Sequence, residues 1–179
     1  MYPDARMSET RYIENGQHYE KLITMMYAVT KTLWIGTADI KDLYVKKGSR
    51  VVPLLEILSD LIKRGVSVRL IHAKEPGPNF RKDFDHYPAL FGGLERMLCP
   101  RVHFKLILFD NHTAYIGSAN LTGAGLGMKG SDNRNFEAGI LTTDPSLVEA
   151  AVNQFDRVWM GAHCNNCKRK DFCIDPIGK

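Results

Sequence analysis

Apolar residues recur along this chain with two periods, and the alternation between them outlines its architecture. Tyr19, Leu22, Ile23, Met26 and Tyr27 fall at helical spacing and predict a helix over 17–31. The run Leu33-Trp34-Ile35-Gly36 predicts a short buried strand. Leu54, Leu55, Ile57, Leu58, Leu61 and Ile62 return to the helical period, with Pro53 suited to the first turn and Gly65 to the C-terminal cap. Val66, Val68 and Leu70 then alternate with Ser67 and Arg69, which marks a second strand over 66–71. From 74 to 88 the pattern lapses into proline, glycine and charge, predicting a long loop at the lip of a site, and a short helix is predicted over 89–98. Two strands follow, 102–109 and 113–117, joined by a tight turn centred on Asn111-His112. Glycines at 123, 125, 127 and 130 make 121–134 a loop or a broken helix. A strand over 136–141 and a helix over 145–160 close the pattern.

Helices and strands therefore alternate, as in an α/β layered fold with helices packed on a mixed sheet. The polar residues 1–14 predict an irregular lead-in, 15–161 a single domain, and 162–179 a tail of distinct composition packed on that domain. The basic stretch Lys46-Lys47-Gly48-Ser49-Arg50 reads as a solvated turn in preference to a phosphate contact.

Composition narrows the class. A chain of 179 residues with 44% hydrophobic content can bury a proper core and is not a disordered segment. No apolar run approaches the roughly eighteen residues that a membrane span needs, and the first residues lack the apolar stretch of a secretory signal. A cytoplasmic protein is expected. The formal net charge of +4 suits a phosphodiester polyanion without requiring one.

The candidate chemistry is concentrated between His103 and Asn120. On a strand, residues two apart share a face, so His103 and Lys105 form a polar pair beside the apolar Val102, Phe104, Leu106, Ile107, Leu108 and Phe109. Burying a cationic lysine without a partner is costly, and an anion held between the two side chains is the simplest reason for the pair. A histidine is a competent nucleophile when neutral. Lys105 and Asn120 suit the non-bridging oxygens of a phosphate, and Ser118 adds a hydroxyl or a backbone N–H. Asp110 falls at a strand end, where aspartate commonly anchors a turn.

His103, Lys105, Asp110, Gly117, Ser118 and Asn120 together match HxKxxxxDxxxxxxGSxN, and the chain resembles the phospholipase D superfamily. The resemblance implies a layered α/β/α fold with a mixed sheet flanked by helices. It counts Asp110 among the motif residues and places Glu137, in Asn135-Phe136-Glu137, at the family's acidic position, the candidate for orienting the nucleophilic histidine. It also implies a divalent-metal-independent phosphodiesterase working through a phosphohistidine, with two histidines per site. The complete motif occurs once here, since His72-Ala73-Lys74 repeats the HxK without the downstream Asp and GSxN, so a homodimer is expected, with two copies of His103 facing each other. Short single-motif members point to a nuclease acting on DNA or RNA. A phospholipase or phosphatidyl transferase, and a non-catalytic nucleic-acid-binding subunit of defence or repair, are the alternatives.

Four cysteines remain: Cys99, just before the catalytic strand, and Cys164, Cys167 and Cys173 in the tail. In a cytoplasmic chain that spacing suggests a structural metal centre, with His163 an alternative fourth ligand. Zinc and a [4Fe–4S] cluster both remain open.

Overall fold

The structure is a computed structural model that describes residues 8–174, Gly127 excepted, and Ile177. Its elements run β1 (Thr10–Glu14), α1 (Gly16–Ala28), β2 (Thr32–Thr37), β3 (Tyr44–Lys47), β4 (Arg50–Pro53), α2 (Leu54–Lys63), β5 (Ser67–His72), α3 (Pro78–Asp85), α4 (Ala89–Gly93), β6 (Leu94–Leu98), β7 (Lys105–Phe109), β8 (Thr113–Gly117), β9 (Ala138–Thr142) and α5 (Pro145–Trp159). Seven strands form one sheet in the order β1-β9-β8-β7-β2-β5-β6. The pairs β2–β5 and β5–β6 are parallel and the others antiparallel, so the sheet is mixed. β3 and β4 make a separate hairpin.

Side-chain alternation along the central strands feeds two cores. Leu33, Ile35, Val68, Leu70, Ile107, Phe109 and Tyr115 face α1 and α2 on one side. Trp34, Ile71, Leu106, Leu108 and Ala114 face Val148, Ala151 and Phe155 of α5 on the other. Strands covered on both faces read as continuous apolar runs, which is why β2 and β7 lack strict alternation. Trp34 stacks on Phe155 with 5.2 Å between ring centroids, and the Arg69 guanidinium lies 4.8 Å from the Trp34 ring. The expected α/β/α layering is thus formed.

Local chemistry sets the helix ends. Gly65 adopts φ +87°, its N–H bonds Ile62 O at 2.9 Å, and Val66 N–H reaches back to Leu61 O at 3.1 Å. This is the Schellman arrangement that ends α2. Asp144 caps α5 by accepting from the amides of Ser146 and Leu147 at 2.9 and 3.1 Å.

Several sequence expectations are corrected. Residues 10–14 of the supposed lead-in form the edge strand β1, of which only Ile13 is buried; residues 1–7 lie outside the described residues. α1 stops at Ala28 instead of Lys31, because the amides of Thr30, Lys31 and Thr32 turn towards Asp110. Pro53 ends β4 and precedes α2 instead of lying within its first turn. The basic stretch 46–50, by contrast, is the exposed turn expected, closing the β3–β4 hairpin at Gly48, with Lys47 salt-bridged to Glu56 and Asp60. The loop 74–88 contains α3, and the expected helix over 89–98 divides into α4 and the parallel strand β6.

Candidate active site

Strand order, not sequence proximity, gathers the site. Lys105 pairs with Gly117 and Gly117 with Gly139, while Leu106 pairs with Gly36. The start of β7, the ends of β8 and β2 and the start of β9 therefore lie at one end of the sheet. Glu14 pairs with Ala138, so β1 delivers Asn15 to the same end. His103, Lys105, Ser118, Asn120 and Glu137 all belong to this end.

His103 stands on extended chain just before β7 and is exposed. The strand begins at Lys105, three residues later than the apolar pattern suggests, and the Phe104 ring packs where a Cβ on Gly36 would sit. Lys105 Nζ donates to the backbone oxygen of His103 at 2.8 Å, which keeps the ammonium beside the histidine.

Asn120 is oriented by residues that sequence spacing did not single out. Its Oδ1 accepts from the Asp39 amide at 3.1 Å and lies 3.3 Å from Thr37 Oγ1. With the carbonyl end pinned by a backbone donor, the NH₂ end is the one presented to an anion. Thr37 Oγ1 also accepts from the Leu121 amide at 3.1 Å, tying the GSxN turn to the end of β2.

Glu137 is buried, and its carboxylate accepts from Ser118 Oγ and, at 3.0 Å, from Asn135 Nδ2. Its amide donates to Asn15 Oδ1 at 3.1 Å. Within one chain the carboxylate thus engages Ser118 and Asn135, not the His103 ring that the resemblance assigned to it. Below this layer Tyr115 is fully buried, and its hydroxyl accepts from the Ala119 amide at 3.1 Å. Burial pushes the phenol up to about 12, against the pull of the Ala119 amide. His18 meets the Tyr115 ring edge-on at 5.4 Å, and burial holds its imidazole below the ordinary histidine value, opposed by the Asn15 carbonyl and the Glu137 charge. Tyr115, Thr37, Asp39 and Asn15 were legible only once the strand order was known.

Asp110 lies at the other end of β7, about 17 Å along the strand from Lys105 at roughly 3.3 Å per residue. Asp110 and Asn111 have φ +53° and +51°, and His112 N–H bonds Phe109 O at 3.0 Å. The turn is centred one residue earlier than expected, with the two positive φ values of a type I′ turn. The carboxylate accepts from the amides of Thr32 at 2.9 Å, Lys31 at 2.7 Å and Thr30 at 3.1 Å. Burial raises its pKa, but these three amides outweigh that and the net shift is downward. The motif aspartate therefore clamps the α1–β2 connection. A depressed folded pKa gives stability that is present above the unfolded value of about 3.9 and lost as pH falls through the lower folded value. Asp110→Asn tolerates the positive φ but puts NH₂ against backbone donors. It is expected to cost about 1–3 kcal/mol and to flatten the acid limb of the stability curve, with unchanged activity per folded molecule. Thermal melts from pH 2 to 7 check this.

The cysteines form a separate group. Cys99, Cys164, Cys167, Cys173 and His163 line one cavity, formed where the tail passes α5 and the turn after β6. Among the described residues no three His, Cys, Asp or Glu side chains are placed to hold a single metal ion. The Arg169 amide, helped by the Arg101 guanidinium, holds the Cys167 thiol below its ordinary value.

An imidazole, an ammonium, a hydroxyl and an oriented amide at one end of a mixed sheet are chemically suited to meet a phosphate group. Residues 22–159 match the family described as cardiolipin synthase, PLD-like domain. The chain belongs to this family, within the phospholipase D superfamily. Its fold is similar to NucT from Helicobacter pylori, with TM-score 0.60 and 14% identity over 86% of this chain and 96% of that one. Nuc from Salmonella typhimurium, a phospholipase D family member, gives TM-score 0.60 and 16% identity over 86% and 95%. TrmBL2, an archaeal chromatin protein that binds DNA, gives 0.57 and 15% over 84% of this chain and 51% of its own. At such identities the likeness is one of fold. No curated protein matches the chain by sequence. Among the described residues no helix is long and apolar enough to cross a membrane.

Proposed function

We propose that this phosphodiesterase-fold protein is a nuclease, cleaving DNA or RNA through a phosphohistidine in a site completed by a second copy of the chain. The observation that carries it is the gathering of His103, Lys105, Ser118 and Asn120 at one sheet end, by a motif that is complete only once in the sequence. An unprotonated ring nitrogen of His103 attacks phosphorus and the P–O bond to one strand breaks. The departing oxygen takes a proton from the His103 of the second copy. Water then attacks the phosphohistidine, giving its proton to that second imidazole, and the P–N bond breaks. Lys105 and the Asn120 NH₂ balance charge on the non-bridging oxygens.

Two features support the substrate and the pairing. Lys41, Lys129 and Arg134 stand on loops that leave the site end, where a polyanion would pass. Tyr12, Ile140 and Ile116 line up across β1, β9 and β8 on a part of the sheet that α5 leaves open, and Tyr12 is 65% and Ile116 37% exposed. Phe136, beside Glu137, is 96% exposed. A second copy covering this patch would bring two sites together. The aromatics of 80–91 form no continuous apolar anchor for a lipid: Phe80 is buried, Phe84 packs against both Phe80 and Phe91, and Phe91 is the exposed one, at 63%.

The test is incubation of the full chain with end-labelled single-stranded DNA, duplex DNA and RNA, and with phosphatidylcholine vesicles, each with and without EDTA. Cleavage of nucleic acid that EDTA leaves unchanged is expected. Choline release with nucleic acid intact would replace the nuclease by a phospholipase. Retention of DNA with no turnover of any substrate would make the chain a binding module.

A further inference from the structure

Three cysteines of the tail and one of the domain body surround a common space. Cys164, Cys167 and Cys173 follow α5, Cys99 sits on the turn after β6, and all four line a cavity of about 760 Å³. None is in a disulfide, and all four are partly buried. Three cations, Arg101, Arg157 and Lys170, line the same cavity. The Arg169 amide donates to Cys167 Sγ at 3.4 Å.

Size distinguishes the possible occupants. A zinc ion at about 2.3 Å from each thiolate draws the four sulfurs to about 3.8 Å from one another. Among the described residues no three ligating groups are gathered that closely, and the cavity is far larger than one ion. A [4Fe–4S] cube binds one thiolate at each iron corner, so its four cysteines stand farther apart around a bulky centre. With its thiolates it is anionic, which the three cations offset, and an amide N–H to a ligating sulfur is a normal feature of such sites.

We propose that Cys99, Cys164, Cys167 and Cys173 ligate a [4Fe–4S] cluster in this cavity. The cluster has a structural role. Cys99 N–H bonds His72 O at 2.9 Å, Val102 N–H bonds Cys99 O at 3.0 Å, and His103 is the next residue. A centre anchored on Cys99 fastens the tail to the turn that delivers His103. Nothing in this inference requires the substrate to be nucleic acid, and it is tested without substrate.

The full chain is prepared anaerobically, reconstituted with ferric iron, sulfide and a thiol reductant that reduces half of the iron, and analysed for iron, acid-labile sulfide and zinc. About four irons and four sulfides per chain are expected, with a broad visible absorption that fades on reduction by dithionite. Cys99→Ser and Cys167→Ser are each expected to lower iron content by about half or more. One zinc per chain without iron would overturn the cluster in favour of a single ion. A chain that takes up neither metal, or that contains a Cys164–Cys167 disulfide, would overturn the site. Full iron and sulfide in Cys99→Ser would overturn the four-cysteine ligation.

Discussion

Replacing His103 by asparagine is expected to lower turnover by on the order of 10⁶-fold, as removal of a nucleophile does elsewhere, and to leave DNA binding within a few-fold. Asparagine keeps a polar side chain of similar reach but offers neither a nucleophilic nitrogen nor a titratable proton. Lys105, Ser118 and Asn120 are untouched, and they are the groups that meet phosphate oxygens. The same variant tests the shared site. If each turnover needs two copies of His103, equal mixing with wild type followed by subunit exchange leaves only about a quarter of the dimers with both imidazoles. Activity per total protein should fall to about that level, whereas self-sufficient chains would retain about half. Single-turnover assays across the mixing series separate the quadratic from the linear dependence, and a linear result would remove the second histidine from the mechanism.

Gly117→Ala should damage both stability and activity. Tyr115 lies against Gly117 and Gly139, which face each other across β8 and β9. A Cβ on Gly117 would collide with the tyrosine hydroxyl and come within 2.7 Å of the Ala138 carbonyl oxygen, and a Cβ on Gly139 would meet the ring at 2.6 Å. The tyrosine cannot move freely, because its hydroxyl holds the Ala119 amide and so fixes the Ser118–Asn120 turn. Overpacking of this kind costs about 1–3 kcal/mol, which in a chain of this size lowers the melting temperature by several degrees. Displacement of Ser118 and Asn120 should reduce kcat by at least about tenfold. Combining the change with Tyr115→Phe removes the clash with the hydroxyl but keeps the ring carbon at 2.6 Å and the Ala138 oxygen at 2.7 Å, so only part of the lost stability should be recovered. Strict additivity of the two variants would refute the coupling.

The motif residues were legible because their chemistry is local: His103 and Lys105 share one strand lead, and Gly117 to Asn120 one turn. Their supports were not. Asp39 and Asn15 act on Asn120 and Glu137 only because the chain leaving β2 reaches the turn after β8 and β1 ends beside β9, and no spacing in the chain records that order. The central elements were legible wherever burial was extensive, as in α2 and β2. β1 and α3 escaped because each buries a single residue among those described, Ile13 and Phe80. Leu90, Leu94 and Leu98 are spaced for a helix, yet Gly92-Gly93 lets the chain straighten and pair with β5. Glu137 lies at the site end, and its bonding to Ser118 and Asn135 depends on the depth of the carboxylate, which sequence does not report.

One consequence of the strand order concerns synthesis on the ribosome. β1 is made before the other strands of this sheet, yet among the described residues its strand neighbour is β9, and Thr10 and Thr142 meet across 132 positions. A chain emerging from the exit tunnel can build β2, α2, β5 and the hairpin of β7 and β8 as they appear, while its leading strand waits. Asn15 and Glu137 join only when that wait ends, so a nascent chain carries no finished site until β9 has been translated.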